Sequence, residues 1–460
     1  MAKRIFIFSL LAVGGLWLFS TASAASGGAT ADAEPGHGLE PTVLAGVAVM
    51  LIIAKLSGEL FERFGQPAVL GELIGGICLG NLVLLGFTMA EPLKTNVVIG
   101  ALAELGVIIL LFEVGLESNL SEMLEVGWSS LLVALVGIVA PFFLGWGVSA
   151  YFLPGEATLV HIFIGATLCA TSVGITARVL KDIGALQGRE ARIILGAAVI
   201  DDVLGLLVLA VVAGAIKAEG AGTVLSLGQS VVIAFKAFAF LFGAILSGNY
   251  LIPRLFRQAG RLETRGASLA FAVAFCFLLA WLAALVGLAP IVGAFAAGLV
   301  LDEAHFESFR DRGEHRLEEL LQPISALLAP IFFVLMGLKV ELRSFARWDL
   351  LGFAIVLTVV AIIGKQICSL AVLERQVNRL AVGNGMVPRG EVGLIFAGIG
   401  AVLMLPNAAG VNEPVISTDT FGVVVLMVVI TTLITPPALK WAFQRANKPT
   451  SEVGKLTDSQ

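Results

Sequence analysis

Along nearly the whole chain, apolar runs of about 20 residues alternate with short polar or charged connectors, and each run is long enough to cross a hydrocarbon core of about 30 Å as a helix. The pattern predicts about 13 spans, over 41–61, 67–88, 97–116, 128–152, 158–178, 192–214, 223–252, 267–286, 288–302, 319–341, 349–371, 380–404 and 420–442. Ahead of them, Lys3 and Arg4, an apolar stretch over 5–19 and then Ala22-Ser23-Ala24 carry the charge, core and small-residue pattern of a secretory signal peptide, placed over 1–24. Residues 25–460 are expected to form one membrane domain. The fold class is therefore an all-α polytopic membrane protein.

Basic residues test the orientation independently, because short cytoplasmic loops collect Lys and Arg. The connectors after odd-numbered spans hold Arg63, Arg178, Lys181, Arg189, Arg192, four arginines over 254–265, Arg310, Arg312, Arg316, Arg375, Arg379, Arg445 and Lys448. The opposite connectors hold little more than Lys94, Lys217, Lys339, Arg343 and Arg347. An amino terminus outside and a carboxyl terminus in the cytoplasm follow. The long loop over 303–318 carries both signs and reads as a solvated connector.

An internal repeat is visible in the same pattern. Span two opens Pro67-Ala68-Val69-Leu70-Gly71 and span nine opens Pro290-Ile291-Val292-Gly293. Span three ends Leu111-Phe112-Glu113-Val114-Gly115-Leu116-Glu117, and span ten ends Phe333-Val334-Leu335-Met336-Gly337-Leu338-Lys339, so both matches sit at an offset of about 222. Seven spans separate the copies, an odd number, so the second copy is inserted upside down. Such inverted repeats are the architecture of secondary transporters, with the substrate site near the midplane.

Two equivalent spans are interrupted. Span five contains Cys169-Ala170-Thr171-Ser172-Val173-Gly174-Ile175-Thr176, poor in helix formers. Span twelve contains Met386-Val387-Pro388-Arg389-Gly390-Glu391-Val392-Gly393, where Pro388 removes a backbone donor and Arg389 and Glu391 are costly in lipid. Broken helices leave carbonyls and amides at the midplane, which suits a cation.

Three further charges lie deep in apolar runs. Asp201 and Asp202 are adjacent in Ile200-Asp201-Asp202-Val203 of span six, where neighbouring positions point about 100° apart and so face different partners. Lys365 lies in Ile363-Gly364-Lys365-Gln366 of span eleven. A buried ammonium keeps its charge beside a carboxylate, and Asp201 or Asp202 is the candidate partner. A pair of this kind changes protonation when another cation competes for the carboxylate. This is the physics of proton-coupled cation exchange. Lys236 in span seven has no such partner in the pattern and reads as a lysine that reaches for the interface.

Composition then narrows the classes. The chain is 58% hydrophobic and 14% charged, with a formal net charge of −5 and no basic block, which excludes nucleic acid as a partner and an enzyme of polar cytosolic substrates. Cys78, Cys169, Cys276 and Cys368 stand singly in apolar runs and read as small core residues. His37, His161, His305 and His315 fall near segment ends or in loops and read as solvated or interfacial, so no resident metal and no cofactor are expected.

The stretches Ala170-Thr171-Ser172-Val173-Gly174-Ile175-Thr176-Ala177-Arg178, Ala198-Val199-Ile200-Asp201-Asp202-Val203-Leu204-Gly205, Gly364-Lys365 and Pro388-Arg389-Gly390-Glu391-Val392-Gly393 resemble the bacterial sodium/proton antiporters of the monovalent cation:proton antiporter superfamily, second group. The resemblance covers about 40–445. It implies a homodimer in the bacterial inner membrane, with a dimerisation part over about 41–116 and 267–341, a core transport part over about 128–214 and 349–442, a linking helix over about 223–252, and two broken helices that cross. It also implies that Asp202 binds the cation and the proton, that Asp201 pairs with Lys365, that Thr171 and Ser172 sit at the crossing, and that Arg389 and Glu391 compensate the broken helix ends. Cys169, Glu113 and the signal-like amino terminus depart from the family pattern. The expected activity is exchange of Na⁺ (or Li⁺) for H⁺, electrogenic because two acids and one lysine move more than one proton per cation, with K⁺/H⁺ exchange as the alternative. An intramembrane aspartyl protease is excluded, because its two carboxylates must share a proton whereas these point apart.

Overall fold

The computed structural model describes residues 41–117 (save 89), 127–220 (save 186), 232–246 (save 245), 266–301, 316–406 and 411–446. The signal peptide placed over 1–24, His37, His305, His315, part of the linking helix and most of the connectors over 247–265 and 302–315 lie outside the described residues. In chain order the helices are α1 (Pro41–Arg63), α2 (Ala68–Gly80), α3 (Val97–Glu117), α4 (Trp128–Phe152), α5 (Thr158–Thr167), α6 (Val173–Asp182), α7 (Arg189–Gly220), α8 (Val232–Ala244), α9 (Ala267–Val286), α10 (Pro290–Val300), α11 (Leu317–Leu338), α12 (Trp348–Ile367), α13 (Arg379–Gly385), α14 (Gly390–Gly400) and α15 (Thr418–Ala446). A short hairpin pairs Met404–Pro406 with Asn412–Pro414.

Among the described residues, eight helices are long and apolar enough to cross a membrane alone. The other five predicted spans fall on shorter helices: α2, α8, α10, and the broken pairs α5–α6 and α13–α14. The sequence signals for the short ones are local. Pro290 opens α10 at a position where its missing N–H has no helical partner anyway, and Gly287 ends α9 with a left-handed φ of 93°.

The helices pack as two groups. In the first, α1, α2, α11, α3, α10 and α9 stand in a row, each against the next. Glycines set the spacing. A Cβ at Gly71 would fall 2.2 Å from the Ser57 carbonyl oxygen, and one at Gly293 would fall 2.2 Å from that of Leu279. A Cβ at Gly115 would meet the Phe295 oxygen at 2.4 Å, and one at Gly337 would meet the Leu73 oxygen at 2.2 Å. Gly76 stands likewise against Val334 (2.3 Å) and Gly298 against Phe112 (2.2 Å). In every case residues 222 positions apart exchange places, 71 with 293, 115 with 337, 73 with 295, 76 with 298 and 112 with 334. Only a two-fold operation maps each contact onto its partner in this way. Gly106 against Leu328 (2.5 Å), themselves 222 apart, marks the axis. The repeat is therefore a property of the packing as well as of the sequence, and seven intervening spans make it inverted.

In the second group α4 packs on α12, α5 and α7, and α15 packs on α12, α13 and α14. The groups meet where α14 touches α2 and α11, and where α7 touches α10. One expectation is corrected here. His161 is not solvated but 7% exposed, its Nδ1 2.9 Å from the Ser149 hydroxyl, because the start of α5 packs against the end of α4. Cys78 also differs from its reading as a core residue: it is exposed on α2, while Cys169, Cys276 and Cys368 are buried.

Candidate functional site

The site is built where two helices stop short. The chain from Leu168 to Ser172 separates α5 from α6, and that from Met386 to Arg389 separates α13 from α14. Each break leaves backbone groups that a continuous helix would satisfy. The two breaks satisfy one another. The Ser172 amide donates to the Pro388 carbonyl (2.8 Å), the Thr176 hydroxyl to the Gly385 carbonyl (2.7 Å) and the Thr171 hydroxyl to the Met386 carbonyl (3.3 Å). Gly390, with φ of +46°, permits this approach, since a Cβ there would lie 2.6 Å from the Ser172 side chain.

Arg389 is fully buried at the crossing. Its guanidinium donates to the carbonyls of Ala170 (2.9 Å), beyond the end of α5, and Ala361 (3.0 Å) on α12, while Nε has no partner. A cation placed beyond the carbonyl end of a helix offsets the negative end of its dipole. Glu391 lies in the first turn of α14, where the positive end favours a carboxylate, and accepts from the Ser172 hydroxyl at 3.0 and 2.9 Å. Arg389 and Glu391 therefore serve different partners and form no ion pair with each other.

Beside the crossing runs α7, 32 residues long, whose regular helix presents Asp201 and Asp202 to different surroundings. Asp201 accepts from the Lys365 ammonium at 2.9 and 3.1 Å, with both side chains fully buried. The Thr171 hydroxyl also faces this carboxylate. Beside it α12 packs closely on α4. A Cβ at Gly364 would lie 2.8 Å from the Cα of Pro141 inside α4, and the Lys365 ammonium faces Gly137 on the same helix. Asp202, 7% exposed, is placed differently: its Oδ1 is buried and has no hydrogen-bond partner. A buried carboxylate oxygen without a donor is an acceptor left for a proton or a metal cation.

The structure thus gathers Thr171, Ser172, Asp201, Lys365, Arg389 and Glu391 around the two breaks, with Asp202 next to Asp201. Several participants carried no sequence signal beyond a polar side chain in an apolar run. The Thr432 hydroxyl on α15 accepts from the Gly390 amide (3.3 Å), and Asn384 on α13 bonds Gln366 on α12 and the Ala438 carbonyl on α15 (3.0 Å). Thr431, Thr432 and Thr435 recur along one helix, and that recurrence is the hint by which they could be found.

Comparison with known proteins agrees in one direction. Residues 48–445 match the family described as sodium/hydrogen exchanger, transmembrane. The chain is 39% identical over 449 residues to the high-affinity Na⁺/H⁺ antiporter NhaS3 of Synechocystis, covering 89% of this chain and 92% of that protein. It is 34% identical over 409 residues to the Na⁺/H⁺-K⁺ antiporter GerN of Bacillus cereus, covering 87% and 96%. Its fold is similar to that of the sodium proton antiporter MjNhaP1 from Methanocaldococcus jannaschii, with a TM-score of 0.65 over 88% of this chain and 100% of that one, at 14% identity. The matched region includes both breaks, α7 and α12, and the chain belongs to the sodium/hydrogen exchanger family.

Proposed function

We propose that this protein is a secondary active transporter that exchanges Na⁺ (or Li⁺) for H⁺ by alternating access. One observation carries the reading: Asp202 has a buried oxygen without a donor, next to an aspartate already held by a buried lysine. Protons and Na⁺ compete for the Asp202 oxygen, so the site holds one or the other. As the cation enters, Asp201 turns part of its charge from Lys365 to the cation, and a lysine deprived of its carboxylate in a dry site gives up its proton. Asp202 and Lys365 together release two protons for one Na⁺, and the exchange is electrogenic. Thr171 and Ser172 supply hydroxyl oxygens beside the carboxylates, a donor set of the hard oxygen type that alkali cations prefer.

The row formed by α1–α3 and α9–α11 serves as the dimerisation scaffold of a homodimer, and the group formed by α4–α7 and α12–α15 as the part that moves against it. The packing supports this division, because the helices of each group pack mainly within their own group and the two groups touch at few places. In the bacterial inner membrane the amino terminus faces out and the carboxyl terminus faces the cytoplasm, as the basic loops favour. The second reading, K⁺/H⁺ exchange, is favoured by the similarity to GerN, whose name includes K⁺. Purified protein in proteoliposomes with a pH gradient separates them: collapse by Na⁺ or Li⁺ but not K⁺ supports the first, and collapse by K⁺ alone replaces it. No effect of membrane potential on the rate would remove the two-proton stoichiometry.

A further inference from the structure

Glu391 is a carboxylate at membrane depth with no positive partner. Among the described residues no lysine, arginine or histidine forms an ion pair with it, and the neighbouring Arg389 is turned to the carbonyls of Ala170 and Ala361. Its two oxygens share one side-chain donor, the Ser172 hydroxyl. Two other carboxylates, Asp202 and Glu117, lie within electrostatic range of it. Charge compensation at the start of α14 explains why an acid is tolerated there, and leaves unexplained why it faces a gap between the two helix groups. Pro67, just ahead of α2, and Leu70 and Leu73 on it line that gap on one side, and Ile175, Glu391 and Thr432 on the other. The gap holds about 10 Å³, close to the room of a single water or a stripped alkali cation. Thr432 contributes the one other polar side chain to its walls and the rest are apolar, so a charged Glu391 gains from a cation beside it.

We propose that Glu391, with the Ser172 hydroxyl, forms a second cation station, through which the transported cation passes between the gap facing α2 and the Asp202 oxygen. The inference rests on the reading of Asp202 as the exchange site and deepens it. Two carboxylates in one another's field make neighbouring sites for one monovalent cation, each lowering the barrier to leaving the other. Because the Glu391 station opens between the two helix groups, it is the one remade when they move.

The test is Na⁺-dependent proton flux in proteoliposomes for Glu391→Gln, Glu391→Asp, Ser172→Ala and Asp202→Asn, reading the half-saturating Na⁺ concentration separately from the maximal rate. The expected result is a rise of about tenfold or more in half-saturating Na⁺ for Glu391→Gln, with a maximal rate within about threefold of the parent. Glu391→Asp returns only part of the affinity, and Ser172→Ala shifts half-saturating Na⁺ in the same direction as Glu391→Gln by less. If Glu391→Gln is not recovered folded, Glu391→Asp decides: its shorter arm raises half-saturating Na⁺ severalfold, and an unchanged value overturns the proposal. An unchanged half-saturating Na⁺ with a reduced maximal rate in Glu391→Gln also overturns it, since that marks a residue that shapes the crossing only. Loss of exchange in Asp202→Asn keeps the exchange-site reading whatever Glu391 does, while surviving exchange in Asp202→Asn sinks both.

Discussion

The Lys365 ammonium stands 2.9 and 3.1 Å from the two carboxylate oxygens of Asp201, in a place where neither side chain meets solvent. Removing one member of such a pair strands the other charge in the interior, at a cost of about 3–5 kcal/mol, while removing both relieves much of it. Lys365→Gln and Asp201→Asn are each expected to lower the melting temperature of the detergent-solubilised protein, and the double variant is expected to melt above either single one. Additive losses in the double variant would show that the two side chains are held independently.

Gly364 and Gly205 offer a matched comparison. A methyl at position 364 would sit 2.8 Å from the backbone of Pro141, whereas nothing lies within 4 Å of one at position 205. Gly364→Ala is expected to push α12 from α4 at a cost of about 1–3 kcal/mol and to displace Lys365, with transport reduced. Gly205→Ala is expected to behave like the parent, and melting curves for the two variants check the contrast.

The dependence on pH follows from competition. A proton and Na⁺ seek the same Asp202 oxygen, so acidification strengthens the competitor and weakens apparent Na⁺ binding. Half-saturating Na⁺ is expected to rise about tenfold or more per pH unit on the acid side, where the carboxylate carries its proton, and to level off on the alkaline side. A half-saturation independent of pH would show that the two ions use separate groups.

The connector between α11 and α12 is gripped from both sides. Asn81 at the end of α2 donates to the Val340 carbonyl (2.8 Å) and accepts from the Leu342 amide (3.0 Å). Asp419 in the first turn of α15 accepts from the Ser344 hydroxyl (2.5 Å) and from Arg347 (3.1 Å). Arg343 alone separates the residue held by one helix group from the residue held by the other, so the proposed movement of one group against the other would bend the chain there. Asp419→Ala is expected to lower the maximal exchange rate about two- to fivefold, in keeping with the small worth of exposed ion pairs, and to leave half-saturating Na⁺ unchanged. A changed half-saturation with the parental rate would place Asp419 in the cation path instead.

Much of this architecture could be read from the chain before its folding was known, for identifiable reasons. Lipid demands long apolar helices, so the spans appear as runs. Close helix crossings demand glycine, so Gly71 with Gly293, and Gly115 with Gly337, printed the repeat into the sequence. Charges at membrane depth are costly, so Asp201, Asp202, Lys365, Arg389 and Glu391 stood out. What could not be read depends on which groups meet in space. The residues alone do not decide that Lys365 reaches Asp201 rather than Asp202, since both lie on one helix; the family resemblance named Asp201, and the packing of α12 and α7 brings the two side chains together. The burial of His161 against Ser149 was hidden for the same reason, because a residue near a predicted helix end looks solvated until its neighbour is known. Thr432 was invisible as the acceptor for Gly390, being one hydroxyl among several in α15.

The most direct test is of Asp202 itself. In proteoliposomes carrying an imposed pH gradient, addition of Na⁺ to the parent protein is expected to collapse the gradient, and the Asp202→Asn variant, reconstituted to the same amount and melting near the parent, is expected to give none of that flux. Na⁺-driven proton movement persisting in Asp202→Asn would contradict the assignment of the exchange to this carboxylate.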